Sequence, residues 1–302
     1  MLNYCANGPA GYTINNSLRF RASASAYLSR TPASAGNLQK WTWSGWVKRG
    51  EITRTISDYV LIASRPSSGS YTLFSLRHST AVGAYGLIFS DGASGSDLTT
   101  AAVFRDVSAW YHIICAVDTT QATASNRVKI YVNGVQQTIS GGYTTYPTQN
   151  TNTVINSTNP HNIGRDPYDT PSIFDGYMAD VYLIDGQQLT PSSFGQTSAT
   201  TGVWQPKQYT GTYGTNGFYL PFSDIATTSG SNAGLGKDFS GNGNYWNTNN
   251  ISVTSGTTYD AMIDSPTNAS ASGTQPVGNY CTLNPLNVYS SYSITNANLN
   301  FS

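Results

Sequence analysis

Apolar and polar residues alternate in short runs along most of this chain, and Gly, Ser, Asn and Asp break the runs. A period of two sends successive side chains to opposite faces of an extended strand. Ser17–Arg21 (SLRFR) has this pattern of a half-buried strand, and Ala26–Arg30 follows it. In Trp41–Lys48 (WTWSGWVK), Trp41, Trp43, Gly45 and Val47 share one face, while Thr42, Ser44, Trp46 and Lys48 share the other. Further short strands are predicted over Val60–Ala63, Tyr71–Leu76, Tyr85–Phe89 and Ala101–Phe104. Trp110–Val117 (WYHIICAV) is apolar on both faces, the pattern of a central strand covered on two sides. Asn126–Thr138 predicts a hairpin, because Asn133-Gly134 suits the positive φ angles of a two-residue turn. Phe174–Ile184 predicts a long strand closed by Asp185-Gly186, and Pro221 confines the strand Phe218–Phe222 to a sheet edge. The single helical signal, Leu189–Phe194 (LTPSSF), places Thr190 as a cap before Pro191 and predicts about one turn.

About ten strands at this spacing predict an all-β sandwich. Composition supports that reading, since charged residues are 10% of the chain, against about 25% in a usual soluble domain. Twenty-nine Gly and 21 Tyr suit tight turns and short strands better than amphipathic helices. Fifteen basic and 15 acidic residues give zero net charge with no basic segment, so neither nucleic acid nor an anionic membrane is expected as a partner. No run approaches the ~18 apolar residues that membrane insertion needs. Cys5, Cys115 and Cys281 are too far apart for a metal site and too few for a disulfide framework, and Cys115 reads as a buried thiol.

The organisation expected is an arm over 1–16, a sandwich over 17–203, a companion β segment over 204–264, and a linker with the start of a further β module over 265–302. The arm reads either as a disordered tail or as an extension gripping a partner subunit through Tyr4, Tyr12 and Ile14.

The segments SLRFRASASAYLSRTP, WTWSGWVKRG, AWYHIICAVDTTQ, NRVKIYVNGVQ, NIGR and FDGYMADVYLIDGQQLTPSSFG resemble, in this order, the laminin-G-like branch of the concanavalin A-like lectin/glucanase superfamily. The resemblance spans residues about 17–197 and implies a jelly-roll β-sandwich, here with an N-terminal arm and a C-terminal, loop-rich β extension. It implies little about function, because this fold carries lectins, hydrolases and adhesion modules alike. The stretch VWQPKQYTGTYGTNGFYLPFSD, with GLGKDFSGNGNYWNTNNISV and YDAMIDSPTN, is similar to the companion segment found beside this sandwich in tailed-phage tail fibres and appendages. That similarity implies a non-enzymatic virion surface protein, assembled in the host cytoplasm as a homotrimer with other virion proteins and contacting host surface glycans. A capsid decoration or head-fibre role is the structural alternative, and a secreted lectin or glucanase a third.

Candidate chemistry is sparse. Glucanases of the resembled fold carry alternating acidic residues on one strand, and hydrolysis needs two facing carboxylates. This chain has one Glu, Glu51, set in a turn, while Asp175 and Asp180 fall on opposite faces of their strand. His78, His112 and His161 lie near no nucleophile elbow, so no residue is expected to be catalytic. Asp238, Ser240, Asn242 and Asn244 alternate oxygen side chains, with Gly243 at the sixth position as in a Ca2+ loop, although Asn249 stands where the loop wants Glu. An Asx-rich turn is the other reading of that segment, and Asp91 with Asp97 is a second calcium candidate. For a sugar, rings and planar hydrogen-bonding groups are needed together. The rim loops predicted at Gly141–Pro147 and Arg165–Thr170 offer Tyr143, Tyr146, Arg165, Asp166, Tyr168 and Asp169. Trp41, Trp43, Trp46 and Trp110 read as core, and Trp204 and Trp246 stay open.

Overall fold

The computed structural model describes residues 11–52, 58–66, 69–77, 86–169, 172–267 and 277–280, with a short ladder at 294–295 and 300–301. Residues 1–10 of the arm, His78, Cys5, Cys281 and most of the segment 265–302 lie outside the described residues. The strands, in chain order, begin with β1 (Ser17–Phe20), β2 (Tyr27–Arg30), β3 (Lys40–Arg49), β4 (Asp58–Ser64), β5 (Thr72–Arg77) and β6 (Leu87–Asp91). Then come β7 (Ser96–Thr100), β8 (Trp110–Asp118), β9 (Val128–Val132), β10 (Val135–Gln136), β11 (Ile139–Thr144) and β12 (His161–Ile163). The later strands are β13 (Gly176–Asp185), β14 (Gly195–Thr197), β15 (Trp204–Pro206), β16 (Phe218–Leu220), β17 (Asn247–Asn249) and β18 (Ala261–Met262).

Two eight-stranded antiparallel sheets form the sandwich that the alternation predicts. The first runs β10-β9-β8-β3-β13-β1-β18, with β16 also on β13; the second runs β11-β7-β6-β5-β4-β12-β2-β17. Trp41, Trp43 and Val47 of β3 face the shared core with Leu61, Phe74, Phe89, Ile113, Cys115 and Met178, as their alternation requires. The Trp43 and Phe74 rings meet edge to face at 5.7 Å. A Cβ on Gly45 would stand 2.9 Å from the Trp43 ring, so glycine is needed there to let the indole lie flat along its own strand. The hairpin turn has Asn133 at φ 48 and Gly134 at φ 82, as expected of a left-handed pair.

Other elements depart from the pattern-based expectation. Polar Ser96–Thr100, not Ala101–Phe104, is the strand after β6, because a tight turn brings Ser96 and Asp97 into register with Asp91 and Ser90. Residues 141–144 of the expected rim loop Gly141–Pro147 belong instead to β11, which runs along β7. Pro191–Ser193 makes a single 3-10 turn, and the Thr190 hydroxyl bonds to the Ser192 hydroxyl at 2.9 Å without capping it.

Residues 204–264 complete both sheets: β16 and β18 join the first, and β17 the second. Trp246, 2% exposed, fills the main core and meets Phe218 at 5.0 Å. The polar face of β1, expected to be wet, is covered by the same segment. Asp260 accepts from Arg19 Nε at 3.1 Å, from Arg21 Nε and Nη2 at 2.7 and 3.0 Å, and from the Ser252 amide at 2.8 Å. All three charged residues are buried.

The outer face of the first sheet is closed as well. Ile114, Ala116, Tyr182 and Ile184 are covered by Phe194, Tyr209 and Tyr219 from residues 189–219, with Tyr182 and Tyr219 stacked 4.4 Å apart. This explains the two-sided apolar pattern of β8. The described part of the arm, residues 11–16, packs on this face of its own chain. Ile14 is buried, its amide donates to Thr267 Oγ1 at 2.9 Å, and the Tyr12 and Tyr219 hydroxyls share a hydrogen bond of 2.6 Å. Beside Tyr219, β13 changes partner from β1 to β16, and Asp180 takes a left-handed φ of 47 at the change. Tyr219 Oη donates to Asp180 Oδ1 at 2.9 Å. Burial pushes the Asp180 carboxyl up to about 6.

Two outcomes are expected. Asp260→Ala strands two buried guanidiniums and lowers the unfolding free energy by about 3–5 kcal/mol in urea titrations. Asp180 is easier to ionise in the unfolded chain, so its contribution to stability is complete below about pH 4 and lost as pH rises to about 6. The stability of the native chain relative to Asp180→Asn therefore falls by about 2–3 kcal/mol between pH 4 and pH 7 in urea titrations.

Candidate functional site

With the first sheet covered on its outer side, the outer face of the second sheet is where polar and aromatic side chains gather. Alternation along β4 to β7 sends Asp58, Val60, Ala63, Leu73, Ser75, Arg77, Ile88, Ser90 and Asp97 outward. Val60, Ala63, Leu73 and Ile88 form a small apolar floor, against which Tyr71 and Tyr143 pack half-buried.

Charged groups at the floor's rim are held in fixed positions. Arg77 donates from Nε and Nη2 to the two oxygens of Asp58, both at 3.0 Å, and lies over the Tyr143 ring at 5.5 Å. Ser75 Oγ supports the same Asp58 oxygen at 2.8 Å. Burial works against the Arg77 charge, but Asp58, Asp97 and Tyr143 more than offset it and raise its pKa above the ordinary value. Ser90 Oγ donates to Asp97 and stands 3.3 Å from the Tyr71 hydroxyl. Arg65 lies over the other face of this cluster, 4.3 Å from the Tyr71 ring centre, and pairs with Asp166 at 2.8 Å. The result is a strip of two rings, two planar guanidiniums and the half-buried Asp97, each fixed by neighbours and little able to reorder. Such a surface can stack on an apolar sugar face and hydrogen-bond to its hydroxyls at low entropic cost.

The residues expected to bind a ligand are dispersed differently from the expectation. Tyr143 belongs to the strip, and Asp166 reaches its far end through Arg65. Asp166 is buried and acts mainly as a turn anchor, accepting from the Tyr168 and Asp169 amides at 2.9 and 3.0 Å. Asp169 accepts from Ser172 Oγ at 2.8 Å, and Tyr168 projects outward, 48% exposed. Arg165 lies over Tyr27 at 5.1 Å. Tyr146 lines a different hollow of about 350 Å³ with Val128, Ile130, Gln137 and Ile139. Asp58, Arg65, Tyr71, Arg77 and Ser90 were missed by the sequence reading. For Tyr71 and Arg77 the signal was the polar set at 71, 75 and 77 on the outward side of a strand read only for its apolar residues.

Residues 238–244 form an Asx-rich turn, the other reading of this segment. Asp238 is buried, and its carboxylate accepts from the Tyr219, Ser240 and Asn244 amides and from Ser240 Oγ, at 2.7–2.9 Å. Asn242 and Asn244 aim their NH2 groups at the Gly214, Thr215 and Gly217 carbonyls. Asp91 and Asp97 lie on opposite faces of their hairpin; Asp91 accepts from Thr72 Oγ1 and Ser94 Oγ, both at 2.6 Å. Among the described residues, no three His, Cys, Asp or Glu side chains gather as a metal set.

His112 is a structural residue between Trp46 and Trp204, its ring stacked on theirs at 5.0 and 5.9 Å. Trp204 Nε1 donates to Nδ1 at 3.0 Å, which leaves the proton on Nε2 facing Ser44 Oγ at 2.9 Å. Burial lowers its pKa to about 3. Burial likewise lowers His161 to about 4, and its Nε2 accepts from the Asn156 amide at 3.1 Å. Asp175 accepts from the Ala22 amide at 2.9 Å, apart from Asp180 and its tyrosines.

Two antiparallel sheets around one core, with a polar-aromatic outer face, define a β-sandwich of the lectin type. The profile of the concanavalin A-like lectin/glucanases superfamily matches residues 22–194, more than half of the chain, and the chain belongs to that superfamily. No curated protein matches it. Among solved structures it is similar to the heptameric SAP-like pentraxin of Limulus polyphemus, at 13% identity over 60% of this chain and 80% of that one, with a TM-score of 0.42. It is similar to domains LG4-5 of the mouse laminin alpha1 chain, at 13% identity over 63% of this chain and 47% of that one, TM-score 0.38. The CBM40 of the Ruminococcus gnavus IT-sialidase, bound to alpha2,3 sialyllactose, is similar at 13% identity over 56% and 85%, TM-score 0.30.

Because donors from its own loop and from Tyr219 fill Asp238, calcium or a chelator is expected to leave the melting temperature unmoved. Asp238→Ala lowers stability by at least about 2 kcal/mol in either medium, as read by thermal unfolding with and without the ion.

Proposed function

We propose that this chain is a non-enzymatic carbohydrate-binding protein that holds glycans on the outer face of its second sheet. The observation that carries this reading is the strip itself: Tyr71 and Tyr143 beside Arg65, Arg77 and Asp97, on a rigid ladder of strands. Membership of a superfamily of lectins and glucanases supports carbohydrate as the ligand class. The acids available speak against hydrolysis. Asp58 is committed to Arg77 and Ser75, Asp166 to Arg65 and its own turn, and the chain's single Glu is Glu51, just after β3. The setting proposed is a phage virion surface, as a tail fibre or appendage built from a homotrimer. It rests on the similarity of residues 204–264 to the segment that accompanies this sandwich in such proteins.

A glycan array followed by titration calorimetry tests the binding. Tyr143→Ala and Asp97→Asn are each expected to weaken the best glycan about 10-fold or more, the value of a lost stacking or charge-assisted contact. Tyr168→Ala, outside the strip, leaves it unchanged. No binding to any array member at millimolar sugar, or release of reducing ends from one, overturns the reading.

A further inference from the structure

The outer face of the first sheet holds a buried lysine. In register across three strands, Lys48 of β3 lies between Trp110 of β8 and Tyr177 of β13. Its side chain has no exposed surface, and Nζ stands 5.8 Å from the Tyr177 ring. An aliphatic stem among aromatic rings is ordinary, but a buried amine among them is not, because leaving water is costly for its charge.

Three groups from Asp264, Asn279 and Tyr280 meet this amine. Asp264 Oδ2 is 2.9 Å away, Asn279 Oδ1 is 2.8 Å away, and the Tyr280 carbonyl is 2.5 Å away. Asp264 pairs with Gly278 in an isolated bridge, which sets the carboxyl and the Asn279 carboxamide side by side over Nζ. The carboxyl's other oxygen accepts from Trp110 Nε1 at 3.0 Å, so Asp264 cannot swing away. Asn279 donates from Nδ2 to the Ser108 carbonyl at 2.9 Å, which fixes the carboxamide with its oxygen toward the lysine. Amine, carboxamide and carboxyl within one hydrogen-bonded group are the three components that amide exchange requires: a nucleophile, an acyl donor and a proton carrier.

We propose that Lys48 and Asn279 become joined by an isopeptide bond, with Asp264 carrying the proton. Asp264 takes a proton from the Lys48 ammonium, and the freed Nζ lone pair attacks Cγ of Asn279. The Cγ–Oδ1 π pair moves onto Oδ1, where the protonated Asp264 carboxyl stabilises it by hydrogen bonding. When the carbonyl reforms, the Cγ–Nδ2 bond breaks. Nδ2 leaves with protons passed on from Nζ, so one lysine ammonium and one carboxamide give one secondary amide and one ammonium ion. No oxidant, metal or co-reactant enters. Asn279 is exposed at the edge of the site, which gives ammonia a way out, while Lys48 stays buried. The bond ties residue 279 covalently to β3, a central strand of the first sheet. Force applied through residue 279 would then run into the middle of a sheet and not peel hydrogen bonds from its edge.

Intact mass spectrometry of the full 302-residue chain, purified folded, decides the matter. The expected mass is one ammonia below that of the sequence, with a branched proteolytic fragment joining the peptides that hold Lys48 and Asn279. Asn279→Ala, a change at an exposed position, and Lys48→Met both restore the full mass of their sequences. Asp264→Asn folds with the full mass or acquires the bond far more slowly. A folded native chain that keeps its full mass after prolonged incubation overturns the proposal and leaves Lys48 as a buried ion pair. A mass one water lower, with Asp264 in the branched fragment, overturns the assignment of Asn279 as acyl donor.

Discussion

Asp260, with no exposed surface, holds the guanidiniums of Arg19 and Arg21 together at the back of β1. Two cations and one anion withdrawn from water are tolerable only while all three remain together. Arg19 adds bonds to the Thr257 and Tyr259 carbonyls at 2.8 Å, and Arg21 one to Asn250 at 3.2 Å, so the guanidiniums also fasten the backbone of residues 250–260. The sandwich thus cannot shed its later segment without exposing Trp246 from the core and leaving β1 with two unpaired charges. Lys48 and Asp264 repeat the same device at the next strand but one.

This covering of one sheet decides where function can reside. Residues 189–219, 11–16, 250–267 and 277–280 lie over the first sheet, and they turn its polar outward residues into buried, paired ones. The second sheet keeps half-buried tyrosines and arginines on its outward side. Each arginine there is braced by a carboxylate and lies over a ring, which removes most of the side-chain entropy that a free arginine loses on binding. Rigid surfaces of this kind gain affinity by having little left to order.

Much of the frame was legible in the order of residues because strand periodicity is local. Trp41, Trp43 and Val47 had to share a face, and Asn133-Gly134 had to turn, whatever packed above them. The strip was less legible. Tyr143 was found as a ring among polar residues, but Arg77 and Asp58 are separated by 19 positions and come together only through the β4–β5 register. Asp238 misled because oxygen side chains at alternate positions serve a metal or a turn equally well. Only the direction of the Tyr219, Ser240 and Asn244 amides separates the two.

Alternation and turn chemistry by themselves determined an all-β chain, its principal strands and the inward set of tryptophans, since each depends on neighbours within a few residues. Tertiary structure alone decided that residues 204–264 complete both sheets, that the arm from Tyr12 lies on its own chain, and that polar Ser96–Thr100 is a strand. It also decided which outward face is covered and which buried charges are matched. Several of those outcomes rest on contacts between distant segments, such as Arg19 with Asp260, 241 positions away. Burial and pairing across such distances follow from how the sheets stack, and no local pattern encodes it.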